Sequence, residues 1–170
     1  MDKVAERSGK EKVLRRLGGS LGDVGFKRTK PTFFTRPSGL VVEFIHLHKF
    51  TFAPDFRVHM GLRVTNDSFP AASLNGPDSE PYFCKGAPGG RRYNFRYHLD
   101  AETIERCVSE VTAYVRTIAE PWFETWRDLE RLLSSVSPLS PDARSALRAA
   151  VEAGPDPTAV ALTRKLLGAV

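Results

Sequence analysis

Imidazole and guanidinium are the side-chain groups of widest chemical range in this 170-residue sequence, and they are grouped. All four histidines, His46, His48, His59 and His98, lie in three runs that alternate apolar and polar residues. Arg57, Arg63 and Arg96 lie in the same runs. Three imidazoles converging from neighbouring strands would suit zinc with an open fourth position, the arrangement of a metal hydrolase. Without metal, the same groups would suit phosphodiester cleavage by a ribonuclease, with one histidine as base, another as acid and an arginine against the developing charge. Without any chemistry, arginine, histidine and an aromatic such as Phe44 on rigid strands make a surface that captures an acidic partner.

Parity places these residues. Side chains alternate across a strand, so over 40–50 Val41, Ile45 and Leu47 form one set and Phe44, His46 and His48 the other. Over 56–65, Phe56, Val58, Met60, Leu62 and Val64 oppose Arg57, His59, Gly61 and Arg63. A third run, 93–99, opposes Tyr93, Phe95, Tyr97 and Leu99 to Asn94, Arg96 and His98. An antiparallel sheet covered on one side buries the apolar sets, and the polar sets then share the opposite face. A connection centred on 51–55 sets His46 opposite His59, His48 opposite Arg57 and Val42 opposite Arg63; a shift of two residues would keep the same face. The expected binding surface is therefore His46, His48, Arg57, His59, Arg63, Arg96 and His98, with Phe44 among them. No carboxylate stands close in sequence to orient the imidazoles, and the arginines would repel a divalent cation, so no metal ligand, cofactor or catalytic residue is assigned. Glu43 falls on the core side, where it must sit at the rim or meet a basic residue of the first helix; a structural pair is expected there rather than a catalytic acid.

The elements that hold these runs follow from spacing and stop signals. Val13, Leu14 and Leu17 make a short helical stripe that Gly18, Gly19 and Gly22 should end. An extended stretch begins at Gly25, and 32–36 reads as a strand closed by Pro37, Ser38 and Gly39. From 66 to 92 the chain is irregular and rich in proline and glycine, long enough to suggest a functional loop. Its end, Gly86 to Arg92, reads as a flexible tip. Asp100 then caps a helix with the stripe Ile104, Cys107, Val108, Val111, Val115 and Ile118, and Pro121 should break it and open a second helix. Ser140 before Pro141, and Asp156 before Pro157, announce two short helices. The expected fold is α+β: a small antiparallel meander packed on C-terminal helices, with an N-terminal helix and a short helical tail. Residues 1–136 form the α+β domain, with the irregular loop at 66–92, and 137–170 a helical appendage of the same domain.

Composition narrows the function. Apolar residues at 41% and charged residues at 26% describe an ordinary globular protein. Two cysteines make no disulfide framework, the N-terminal run is charged rather than apolar, and no apolar run approaches a membrane span, so a cytoplasmic location without membrane contact is expected. Residues 1–30 hold nine Lys or Arg against four acids, while the rest of the chain balances. That basic helix is a weak indication of nucleic-acid binding.

Short motifs also carry a resemblance. Gly25, Phe26, Lys27 and Arg28 follow a helix; Phe33, Phe34 and Arg36 precede a strand with Val42, Glu43 and Phe44. Phe56, Val58, Met60, Gly61 and Leu62 lie in the next strand, and Pro121, Trp122 and Phe123 lead to Leu129, Glu130 and Leu133. Over 14–133 this order resembles an uncharacterised bacterial family, the domain of unknown function numbered four-three-zero-four. The resemblance implies a small α+β fold and brings no activity or catalytic residues. By analogy with compact families of this kind, it suggests a partner-binding protein, including an immunity protein that neutralises a toxin. The function expected is thus non-enzymatic binding of an acidic protein, with the small hydrolase, zinc-dependent through His46, His48 and His59 or metal-independent on RNA, as the alternative.

Overall fold

Alternation in the two central runs builds the hairpin from which the rest of the sheet extends. In the computed structural model, which describes residues 3–169, β1 (Lys27–Lys30), β2 (Phe33–Ser38), β3 (Val41–Lys49) and β4 (Phe56–Val64) pair in sequence order as an antiparallel meander. Met1 and Asp2 of the charged N-terminal run, and Val170, lie outside the described residues. The expected register holds: His46 pairs with His59, His48 with Arg57 and Val42 with Arg63. The fold is the α+β arrangement expected, with α1 (Lys3–Ser20), α2 (Ala101–Tyr114), α3 (Glu120–Thr125), α4 (Leu129–Leu133), α5 (Pro141–Ala153) and α6 (Pro157–Leu167) around the sheet. No helix among the described residues is long and apolar enough to cross a membrane.

The main core lies on one face of the sheet. Ile45, Leu47, Val58, Met60 and Leu62 meet Val13, Leu14 and Leu17 of α1, Ile104, Val108 and Val111 of α2, Phe123 of α3 and Leu147 of α5. Helix starts follow the sequence: the side chains of Asp100, Ser140 and Asp156 accept hydrogen bonds from backbone N–H groups of the first turns that they cap. Two boundaries differ. Helix α1 runs on to Ser20, two residues past Gly18. Pro121 lies in the first turn of α3, where its missing N–H costs nothing, as expected, but a π turn at Val115–Ala119 joins α2 to α3 without a break.

The opposite face is half covered, by the chain's own tail. Val42 and Phe44 are fully buried there against Leu167, with Phe33, Ala72 and Leu166 packed around them. Opposite Phe44 only glycine fits: a Cβ on Gly61 would lie 2.5 Å from the Phe44 ring and 2.7 Å from the Ser73 carbonyl. The loop expected at 66–92 is ordered along the free edge of β4. Gly76 and Ser79 donate their N–H groups to Met60 and Val58 carbonyls, and the Asn75 amide satisfies both backbone groups of Leu62. That lining closes an edge that would otherwise invite pairing with another chain.

Candidate functional site

Rigid pairing of β3 with β4 fixes three imidazoles in a nearly equilateral triangle. Ring centroids are 6.1 Å apart for His46 and His48, and 6.2 Å for each of the other two pairs. Phe33, across from His46 on β2, stacks on its ring at 4.3 Å. At the neighbouring register position Arg57 reaches Glu80 at 2.6 Å and lies over the Phe50 ring at 5.4 Å. Asp78 bridges to His59 from the ordered loop. The four residues His46, His48, His59 and Arg57 thus stand together as parity predicted.

Burial sets the charge state of this patch. It pushes the His46 imidazole down to about 4, with the charges of His59 and His48 acting in the same direction. His59 is also lowered by burial, against the pull of Asp78. His46 Nδ1 is buried with no hydrogen-bond partner. The unfolded chain therefore takes up protons at these positions before the folded one, and stability falls as pH drops. For His46 the loss runs from about 6.5, its ordinary value, to about 4. Allowing for solvent screening, it is on the order of 1–2 kcal/mol. Urea unfolding of wild type and His46→Phe from pH 7 to pH 4 checks this; the variant should show the shallower slope, with the His59 share remaining, and an equal slope in both would refute it.

The rest of the expected surface lies elsewhere. Arg63 and Phe44 share the face by parity but are buried at 1% and 0% exposure, because α6 and the loop after β4 cover that end of the sheet. Arg96 and His98 belong to no strand of the sheet. Their segment has the predicted alternation, with Tyr93, Phe95 and Tyr97 buried and Arg96 and His98 exposed, but its backbone meets the sheet only near the β3–β4 connection, through an Asp55–Arg96 bridge and a bond from Tyr97 N–H to Pro54 O. Leu99, expected in the core, is 47% exposed at the edge of the α2 cap. His98 sits beside α1, its carbonyl against Gly9, where a Cβ would lie 3.0 Å away.

Glu43 is buried and paired, but not by the first helix. Arg36 of β2 holds it at 2.5 Å and Arg127 at 3.0 Å, and both arginines also reach Glu120. The structural role expected of Glu43 holds, with different partners. Cys84 is exposed and Cys107 buried, where its thiol donates to the Phe95 carbonyl.

Sequence reasoning missed Phe33, Phe50, Asp78 and Glu80. Phe33 was readable, since alternation in β2 puts it on the histidine face once Phe34 is assigned to the core. Asp78 and Glu80 were not, because only the ordered loop brings them to β4.

Chemically, the patch offers imidazole donors and acceptors beside a paired guanidinium. Among the described residues no group of three His, Cys, Asp or Glu side chains is placed to hold a metal ion; the His46 and His59 rings lie 18° from parallel rather than converging. Comparison with protein-family models, curated proteins and solved structures finds no match for this chain.

Proposed function

We propose that this chain is a non-enzymatic binding protein whose open sheet end, His46, His48, His59 and Arg57, docks an acidic macromolecular partner. Neutralisation of a toxin by an immunity protein is the most concrete form of that role. The observation that carries the reading is the division of one sheet face. Helix α6 covers the end that holds Val42, Phe44 and Arg63, and the histidine end stays open with a buried ring nitrogen, His46 Nδ1, lacking a partner. A carboxylate arriving at this patch would accept hydrogen bonds from imidazole and favour the protonated form. Binding to paired strands loses little conformational entropy.

Two observations favour docking over hydrolysis. The arginine nearest the imidazoles is already engaged by Glu80, and burial keeps His46 unprotonated near neutrality, which removes it as a general acid. Both features suit a surface that waits for a partner's charge. Two unbridged cysteines accord with a cytoplasmic setting.

The test is affinity capture from nuclease-treated lysate of the native host, with wild type and a folded His46→Ala/Arg57→Ala/His59→Ala variant as baits. An acidic protein retained by wild type and lost by the variant is the expected result. Equal recovery by both baits, or none by either, would overturn the proposal.

A further inference from the structure

A cavity of about 540 Å³ lies beside the histidine patch rather than on it. It opens between the β3–β4 connection, through Phe50 and Asp55, and the segment from Phe83 to Arg96. Its size is in the range of pockets that hold a peptide side chain group or small ligand. One wall is aromatic, formed by Phe50, Phe83, Tyr93 and Phe95. The other is cationic.

That cationic wall has a period. Arg92, Asn94 and Arg96 are the exposed members of an extended segment whose alternate residues, Tyr93 and Phe95, are buried. Alternate side chains of such a segment stand roughly 7 Å apart, so Arg92 and Arg96 are separated by roughly 13 Å. Neither has a carboxylate within ion-pair distance among the described residues, in contrast to Arg57 with Glu80 and Arg91 with Glu110. Asp55 is bridged to Arg96 by backbone; burial pushes its carboxyl up, while the Arg96 charge pulls it the other way. Phe52, at the tip of the connection, is completely exposed. Aromatic and arginine side chains together are what interfaces use as anchors.

We infer that this cleft receives an extended acidic peptide segment, with carboxylates four residues apart meeting Arg92 and Arg96 and an aromatic or aliphatic side chain seated against Phe50 and Phe83. The inference rests on the acidic-partner reading above and extends it, because Phe50 is shared: its ring carries the Arg57 guanidinium on the histidine side and lines the cleft on the other. An extended strand matches the spacing of the arginines. On a helix, residues four apart span only about 6 Å, so two carboxylates at that separation reach both arginines only in the extended form.

The probe is the peptide acetyl-Phe-Glu-Ser-Glu-Ser-Glu-amide, titrated into isotope-labelled protein and followed by amide NMR. Shifts should saturate and fall on Phe50, Phe83 and 92–97. Affinity should drop about tenfold or more in Arg92→Ala/Arg96→Ala, whose two sites are exposed and leave the core intact. A peptide of the same composition with its glutamates consecutive should bind more weakly. Shifts centred on the basic face of α1 around Arg7 and Lys10, unchanged affinity in the double variant, or tighter binding of a single-stranded RNA oligomer at the cleft would overturn the inference. The two readings separate cleanly. If lysate capture depends on His46, Arg57 and His59 but not on Arg92 and Arg96, the cleft is refuted and the docking face stands; if the peptide binds the cleft while no partner is captured, the reverse holds.

Discussion

Replacing Arg63 with alanine should cost about 3–5 kcal/mol of folding stability, the penalty for breaking a buried charged network by deleting one member. Its side chain has five N–H donors, and each finds an acceptor. Nε reaches Thr163 Oγ1 at 2.8 Å, one terminal nitrogen reaches Asp67 and the Ala71 carbonyl, and the other reaches the Asp67 and Phe69 carbonyls. One guanidinium therefore ties the turn after β4 and helix α6 to the sheet. Lysine offers three donors on a tetrahedral centre, so Arg63→Lys should recover only part of the loss. Urea denaturation gives the magnitude, and hydrogen exchange gives the location: amides of 157–167 should lose protection first. A loss under about 1 kcal/mol, or exchange unchanged in α6, would contradict this account.

A comparable effect is expected at Arg36, on the other face. Its guanidinium bonds Glu43 at 2.6 Å through Nε and Glu120 at 3.0 Å through Nη2, donates to the Val24 carbonyl, and lies 4.3 Å from the centre of the Phe26 ring. Arg36→Ala leaves the fully buried Glu43 with only Arg127, itself 41% exposed, and should cost about 3–5 kcal/mol. Glu43→Gln should cost less, about 1–2 kcal/mol, because Arg36 keeps Glu120 and the amide oxygen still accepts from one of the two arginines. The ordering of the two variants in thermal unfolding is the check. Equal losses would mean that Glu43, rather than Arg36, is the centre of the network.

Legibility of the fold tracked how local each determinant was. Strands β3 and β4 were readable because long alternating runs with one buried face exclude a slip of one residue; a slip of two keeps the face, and the pair-level register came from centring the connection on 51–55. The same alternation in 93–98 specified which side is buried but not a ladder partner, and the structure uses it as an extended wall beside the connection. The histidine end of the site was legible, whereas the loss of Arg63 and Phe44 from it was not assigned. A signal existed: Val42, Phe44 and Gly61 interrupt the polar set, as a face that something else must cover would require. The cover itself, Leu166 and Leu167, lies about a hundred residues downstream, beyond any periodicity. Pro121 was read half correctly: it opens α3 as its position predicted, but the expected break was overridden by a π turn that absorbs the missing N–H.

The tail's hold on the sheet also sets a schedule for biosynthesis. Thr29 on β1 donates its hydroxyl hydrogen to the Leu167 carbonyl across 138 residues, and Arg63 meets Thr163 across 100. During translation the meander emerges early, yet Val42 and Phe44 lack Leu166 and Leu167, which cover them in the fold, until the ribosome has added residue 167 and released it from the exit tunnel. For that interval the nascent chain presents part of an aromatic strip of the kind that chaperones engage, and α6 can close over the hairpin only after it.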